Sequence, residues 1–289
     1  MILLAAVAAL LVAAPTEERA SPATGGGRKP QHTKAVRRVP PEQDPKLGGA
    51  AKAFAKASIS FASPEDRGVL KRDHIEVQLK IAHYALVGGA HAHVIFDNEP
   101  PLELDDIEDP IVLKDVPPGP HVLRAVLCRP WHEVVKAKGA FAMVRFWAGP
   151  RYTGRAAELA ERAEWPDPKK PLLTYVLPIG VRTKGAKGFE SEAAEAAEST
   201  DHEPSSAAGR KPDVPTLDFY LSNTQLGRRA AKVRVVLDKA ELPLVTTWEP
   251  KKLARLKPGE HRITIDLLDG KGQKAANALN RTDRTFIVR

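Results

Sequence analysis

The sequence predicts an all-β protein: two tandem Ig-like, Greek-key β-sandwiches joined by a short helical linker. Three observations predict it. The chain repeats itself, since setting Leu113 on Leu253 brings Pro118-Gly119 onto Pro258-Gly259 and His121 onto His261. The same offset carries Ile81–Leu86 onto Leu221–Leu226, and one residue more carries Val94–Asp97 onto Val235–Asp238. Three matched blocks in one order are the mark of a duplicated structural unit. Next, each copy holds short runs of period-two alternation separated by turn residues, about seven per copy, which is the pattern of a sandwich. Finally, the 25 prolines and 20 glycines of the 289 residues suit many short strands joined by turns.

Residues 1–14, MILLAAVAALLVAA, form an apolar run too short to span a bilayer as a helix. The run reads as a signal-like hydrophobic segment, so the protein is expected to be exported, to the periplasm or beyond. Residues 15–56 are rich in Pro, Gly, Lys and Arg without apolar periodicity, and read as a disordered basic linker. Nine Lys/Arg stand there against four Asp/Glu, so much of the net charge of +8 belongs to this tail. Weak contact with anionic surfaces through it is the most that charge implies.

The first domain is expected over residues 57–148. Ile59-Ser-Phe61 is a short strand broken at Ser63-Pro64; Ile75, Val77, Leu79 and Ile81 alternate on the next; Ala92, Val94 and Phe96 point inward on a third. Leu113 leads into the Pro-Pro-Gly turn, Leu123, Ala125 and Leu127 alternate after it, and residues 140–147 close the unit. Residues 149–170 form the linker, with helix-forming sequence from Arg155 stopped at Trp165-Pro166. The second domain, residues 171–289, repeats the strand pattern and carries an acidic, Ala- and Ser-rich insert at about 183–214 that reads as a disordered loop.

Chemistry-bearing residues are few. The single cysteine, Cys128, rules out an intrachain disulfide, and its copy is Leu268, so a packed thiol is expected. His121 and His261 recur just after Pro-Gly, which points to a turn-orienting role. His91 and His93 share one face of a strand, a spacing that suits a metal, and His83 is the nearest further histidine. Their copies are Lys232 and Arg234, from which that face is expected to be solvated. In the loop Cys128–Lys136 the copies diverge: Arg129, Trp131, His132, Glu133 and Lys136 stand where the second copy has plain turn material. Such a loop is either a plug over the sandwich end or a binding loop for a sugar, peptide or anion. Trp248 reads as an edge-covering aromatic.

Phosphate-binding and dinucleotide loops, Cys-x-x-Cys pairs and nucleophile elbows are missing from the sequence, and no catalytic residue or cofactor is assigned. Basic residues interleaved with aromatics on a strand face are missing too, which argues against nucleic acid. The blocks Arg129-Pro-Trp-His-Glu133, Gly139-Ala-Phe-Ala142, Pro171–Tyr175 and Leu217–Leu221 resemble an uncharacterised bacterial family, familiar from cyanobacteria. That resemblance implies two sandwich-like repeats behind an export signal, and no activity. The expected function is non-enzymatic binding or scaffolding in the bacterial envelope, with an envelope protein or glycan as partner. Two alternatives stand beside it: a metal-binding module using His83, His91 and His93, and a carbohydrate-binding or carbohydrate-active accessory protein acting through the Trp131 loop.

Overall fold

The computed structural model describes residues 54–72, 74–180 and 214–288. The signal-like segment, nearly all of the basic linker and the insert expected at 183–214 lie outside them, apart from the insert's last residue.

In the first sandwich β1 (Ser58–Ser63), β3 (Ile75–Ala82) and β6 (Ile111–Leu113) form one sheet, in the order β1-β3-β6. The facing sheet has the order β2-β8-β7-β4-β5, from β2 (Gly68–Leu70), β4 (His91–Phe96), β5 (Leu102–Leu104), β7 (Gly119–Cys128) and β8 (Phe141–Ala148). Period-two alternation sends Val77, Val94, Phe96, Leu102, Leu113, Leu123 and Leu127 into a shared core. Helix α1 (Gly154–Glu164) follows and lies against the five-stranded sheet. Trp147 donates its indole N–H to Glu161 Oε1 at 2.9 Å, and Trp165, just past the helix, donates to the His121 carbonyl at 2.9 Å.

The second sandwich pairs a sheet β13-β10-β9 with a sheet β12-β11-β14-β15. Its strands are β9 (Leu172–Leu177), β10 (Thr216–Ser222), β11 (Lys232–Leu237), β12 (Ala240–Glu241), β13 (Lys251–Lys252), β14 (Gly259–Leu268) and β15 (Arg281–Val288). The duplication is therefore one of strands: β4 answers to β11, β7 to β14 and β8 to β15. Ser63-Pro64 and Leu177-Pro178 are both cis. His121 and His261 also repeat their partners. His121 sets Nδ1 2.8 Å from Asp97 and Nε2 2.8 Å from the Pro117 carbonyl. His261 does the same with Asp238 at 2.6 Å and the Lys257 carbonyl at 2.7 Å. Each aspartate also accepts the next strand residue's N–H, so the pair closes the turn onto the strand.

The sandwiches are fused side by side rather than strung out. Leu173 and Tyr175 on β9 and Phe219 on β10 fill their own core, while Val176 and Tyr220 join the core of the first sandwich. The covered surface on the other side is the outer face of β7 and β8. Phe141 stacks on Tyr220 with centroids 5.0 Å apart, and Trp248 meets Tyr220 edge-on at 5.3 Å. Arg124, fully buried, reaches Thr174 at 3.3 Å and the Asp97 carbonyl at 2.5 Å. Burial, with Arg284 nearby, draws its pKa down to about 9. Asp218 spans the joint, accepting Val134 N–H at 2.8 Å and Lys136 Nζ at 2.8 Å.

Candidate functional site

His91 and His93 share the outer face of β4, opposite Cys128 and Val126 of β7. The expectation of a solvated face is overturned: the two residues are 1% and 0% exposed. Their copies Lys232 and Arg234 sit on a sheet whose outer face carries an ion-pair cluster, with Asp266 between Arg234, Arg281 and Lys274. The first copy has Val126 in place of Asp266 and packs that surface away, so equivalence along the chain did not carry equivalence of surroundings.

Three imidazoles and one carboxylate converge here: His91 and His93 on β4, Glu103 on β5 and His132 from the turn after β7. The register fixes the first three, since His93 pairs directly with Glu103 across β4 and β5. His132 arrives through a tight turn closed by Arg129 N–H to the Glu133 carbonyl and His132 N–H to the Arg129 carbonyl, both 2.8 Å. His91 Nε2 lies 3.1 Å from His93 Nε2 and 3.1 Å from His132 Nδ1. Glu103 oxygens stand 3.6 Å from His91 Nδ1 and 3.5 Å from His132 Nδ1. One donor atom from each of the four lies within 4.8 Å of the others.

The surrounding shell prepares the rings. His91 donates Nδ1–H to the Gly89 carbonyl at 2.9 Å, which leaves its Nε2 lone pair turned into the cluster. His93 Nδ1 is buried without a partner, so the polar contact of that ring is made on the Nε2 side. Burial first, then the neighbouring His91 and His132, push the His93 pKa well below the usual histidine range. It is held neutral, which is the form that binds metal. Without an ion, an N–H of either His93 or His132 can donate to the single His91 Nε2 lone pair. With one, three lone pairs face it. Two donors held 2.0–2.1 Å from a tetrahedral zinc are about 3.3 Å apart, close to the 3.1 Å separations seen.

The turn itself points to the same place. The second copy closes an identical turn with Asp269 N–H to Gln273 and Gly272 N–H to Asp269. Gly272 has φ +81, and His132, its counterpart, has φ +63. Glycine takes that conformation freely, whereas a β-carbon there costs about 1 kcal/mol. The first copy carries an imidazole where the turn prefers none.

The other sequence candidates divide. His83 is exposed, in a left-handed conformation, and outside the converging group. Lys136 is turned inward onto Asp218. Arg129 is buried, its guanidinium over Phe54 at 5.3 Å and over Trp131 at 5.6 Å. Trp131, 42% exposed, donates its indole N–H to Glu133 at 2.8 Å. Cys128 is fully buried, and burial, then Asp218, raise its thiol pKa well above the ordinary value. Sequence reasoning missed Glu103; the signal was the Leu-Glu-Leu alternation of β5, which aims the glutamate at the face of His93.

The sheet orders and the site define an all-β protein of two fused Ig-like sandwiches with a tri-histidine cluster at one end of the first. No protein-family model matches the chain, and no curated protein does. Among solved structures, it is similar to the fibronectin(III)-like modules of Clostridium thermocellum CbhA at 10% identity, over 80% of this chain and 94% of that one, with a TM-score of 0.24. It is also similar to SGBP-B of the Bacteroides ovatus mixed-linkage glucan utilization locus, in complex with a heptasaccharide, at 9% identity, over 80% and 70% of the chains and a TM-score of 0.21. The central fibronectin-III array of RIM-binding protein gives 8%, 81%, 69% and 0.21. These superpositions are loose, and the fold rests on the strand orders above. Among the described residues, no helix is long and apolar enough to cross a membrane.

Proposed function

We propose that this is an exported, non-enzymatic metal-binding protein, which holds a divalent late first-row ion such as zinc or copper at His91, His93 and His132, with Glu103 as the oxygen donor. The observation that carries the reading is the convergence of three imidazole nitrogens, one of them supplied by a residue held in a conformation its copy gives to glycine. Imidazole with one carboxylate suits zinc and copper, and disfavours the oxygen-seeking calcium and magnesium. The buried pair His91 and His93 forms the floor. His132 and Glu103, with side chains 36% and 44% exposed, form the side through which an ion enters. Export is supported by the apolar run at residues 1–14. An envelope partner would meet the ion on that exposed side.

Thermal unfolding against a panel of divalent ions tests this. At a free metal concentration a hundredfold above Kd, binding to the native state adds about 2.7 kcal/mol, or about 5–11 °C for a fold of this size. Zinc and copper should give that rise and calcium and magnesium none. His132→Gly suits the turn and should abolish the rise without unfolding the protein, whereas His83→Ala should leave it intact. A rise that survives His132→Gly, or none with any ion, would count against the site.

A further inference from the structure

We propose that the cleft where the two sandwiches meet is a second, independent binding site, and that its ligand is an oligosaccharide. The cleft encloses about 1200 Å³ and lies between the start of β8 on one side and β10 with its following loop on the other. That exceeds the 300–1,000 Å³ that usually holds one drug-sized molecule, so a ligand of several rings fits.

Its wall is aromatic. Phe141 and Tyr220 stack nearly parallel, at 9°, and Trp248 stands against Tyr220 at 83°. Their polar atoms are already committed: Tyr220 donates its hydroxyl to the Ala137 carbonyl at 2.8 Å, and Trp248 its indole N–H to the Phe219 carbonyl at 2.9 Å. The rings are thus fixed, and the half-buried Phe141 and Trp248 leave apolar ring surface in the cleft wall. The rim is polar. Thr224, Gln225 and Lys138 stand on it, and among the described residues the side chains of Gln225 and Lys138 make no hydrogen bond or ion pair. Among the described residues, no acidic side chain lines the cleft. A pyranose ring has an apolar C–H face for an aromatic wall and hydroxyls at its edge for an amide and an ammonium. The uncompensated Lys138 excludes a cationic ligand and accepts a neutral or uronic-acid sugar. The residues are distinct from the metal donors and from the Trp131 turn.

The test is titration of the full-length chain with cello-, chito- and galacturono-hexasaccharides, followed by amide NMR shifts and calorimetry. At least one of the three should bind and shift amides of residues 138–143 and 220–226. Each removed hydrogen bond is worth about 0.5–1.5 kcal/mol, so Gln225→Ala or Lys138→Ala should weaken binding about 2- to 12-fold. Both side chains are exposed, so neither change endangers the fold. Trp131→Ala and His132→Gly should leave the affinity unchanged. The proposal is overturned if no hexasaccharide binds, if binding depends on Trp131 instead, or if a proline-rich peptide shifts the cleft and the sugars do not.

Discussion

Replacing Lys136 by Met probes the joint between the sandwiches. Asp218 is 1% exposed and Lys136 Nζ is its cationic partner at 2.8 Å, with the Val134 and Phe219 N–H groups as further donors. Removing one partner of a buried pair strands the other charge, at about 3–5 kcal/mol. At 2–4 °C per kcal/mol the midpoint should fall by about 6–20 °C. The loss should also depend on pH. Burial raises the Asp218 pKa above 3.8 despite Lys136. A raised carboxyl favours the folded state when protonated, and stability is given up as pH climbs through the window above the unfolded value. Without Lys136 that window widens upward. The deficit of Lys136→Met should therefore be largest at neutral pH and shrink on acidification. Urea unfolding of wild type, Lys136→Met, Asp218→Asn and the double variant gives the coupling. The double loss should be smaller than the sum of the singles by about 1–3 kcal/mol. A Lys136→Met loss under about 1 kcal/mol, additive with Asp218→Asn and flat in pH, would refute the buried joint.

Other consequences are as direct. In His121 burial opposes the charge but Asp97 and the Pro117 carbonyl outweigh it, and in His261 the Lys257 carbonyl and Asp238 act alike, so both pKa values are raised. Their contribution is complete below the ordinary histidine value and is lost as pH rises through the raised ones; the His121→Gln/His261→Gln double variant should flatten the fall in stability as pH climbs above the ordinary histidine range. Burial opposes the charge of Glu161, but Trp147 and Arg151 hold its pKa below 4.5. Its stabilisation is present above that value and lost as acid protonates it, so Glu161→Gln should speed hydrogen exchange in α1 at neutral pH far more than in strong acid. The Cys128 thiol should resist an aromatic disulfide reagent in the native protein and react fully in denaturant, since it is buried with a raised pKa. His132→Gly should leave the metal-free protein within about 1 kcal/mol of wild type, the lost ring contact being offset by relief of the left-handed conformation.

The strands were legible because each core face obeys period two, as at Ile75, Val77 and Leu79 or Leu123, Ala125 and Leu127. The helix before Trp165-Pro166 was legible as well. The outer faces were not. Duplication told which residues occupy equivalent strands, but burial depends on what covers a sheet, and the second sandwich covers the first copy alone. The cue was in the unbroken apolar run Leu172-Leu-Thr-Tyr-Val176, buried on both sides of β9. The site was half legible: His91 and His93 stood out by spacing and His132 by divergence of the copies, but only the register unites them and adds Glu103. His83, close in sequence, was drawn in by proximity along the chain, which says nothing about direction in space.

The metal centre is tested most directly by X-ray absorption on the full-length protein loaded with one equivalent of zinc. The arrangement predicts a four-coordinate shell at about 2.0–2.1 Å, with the multiple-scattering signature of three imidazoles and one oxygen, a signature that His132→Gly loses. A six-coordinate shell of oxygens, or a spectrum that His132→Gly leaves unchanged, would contradict it.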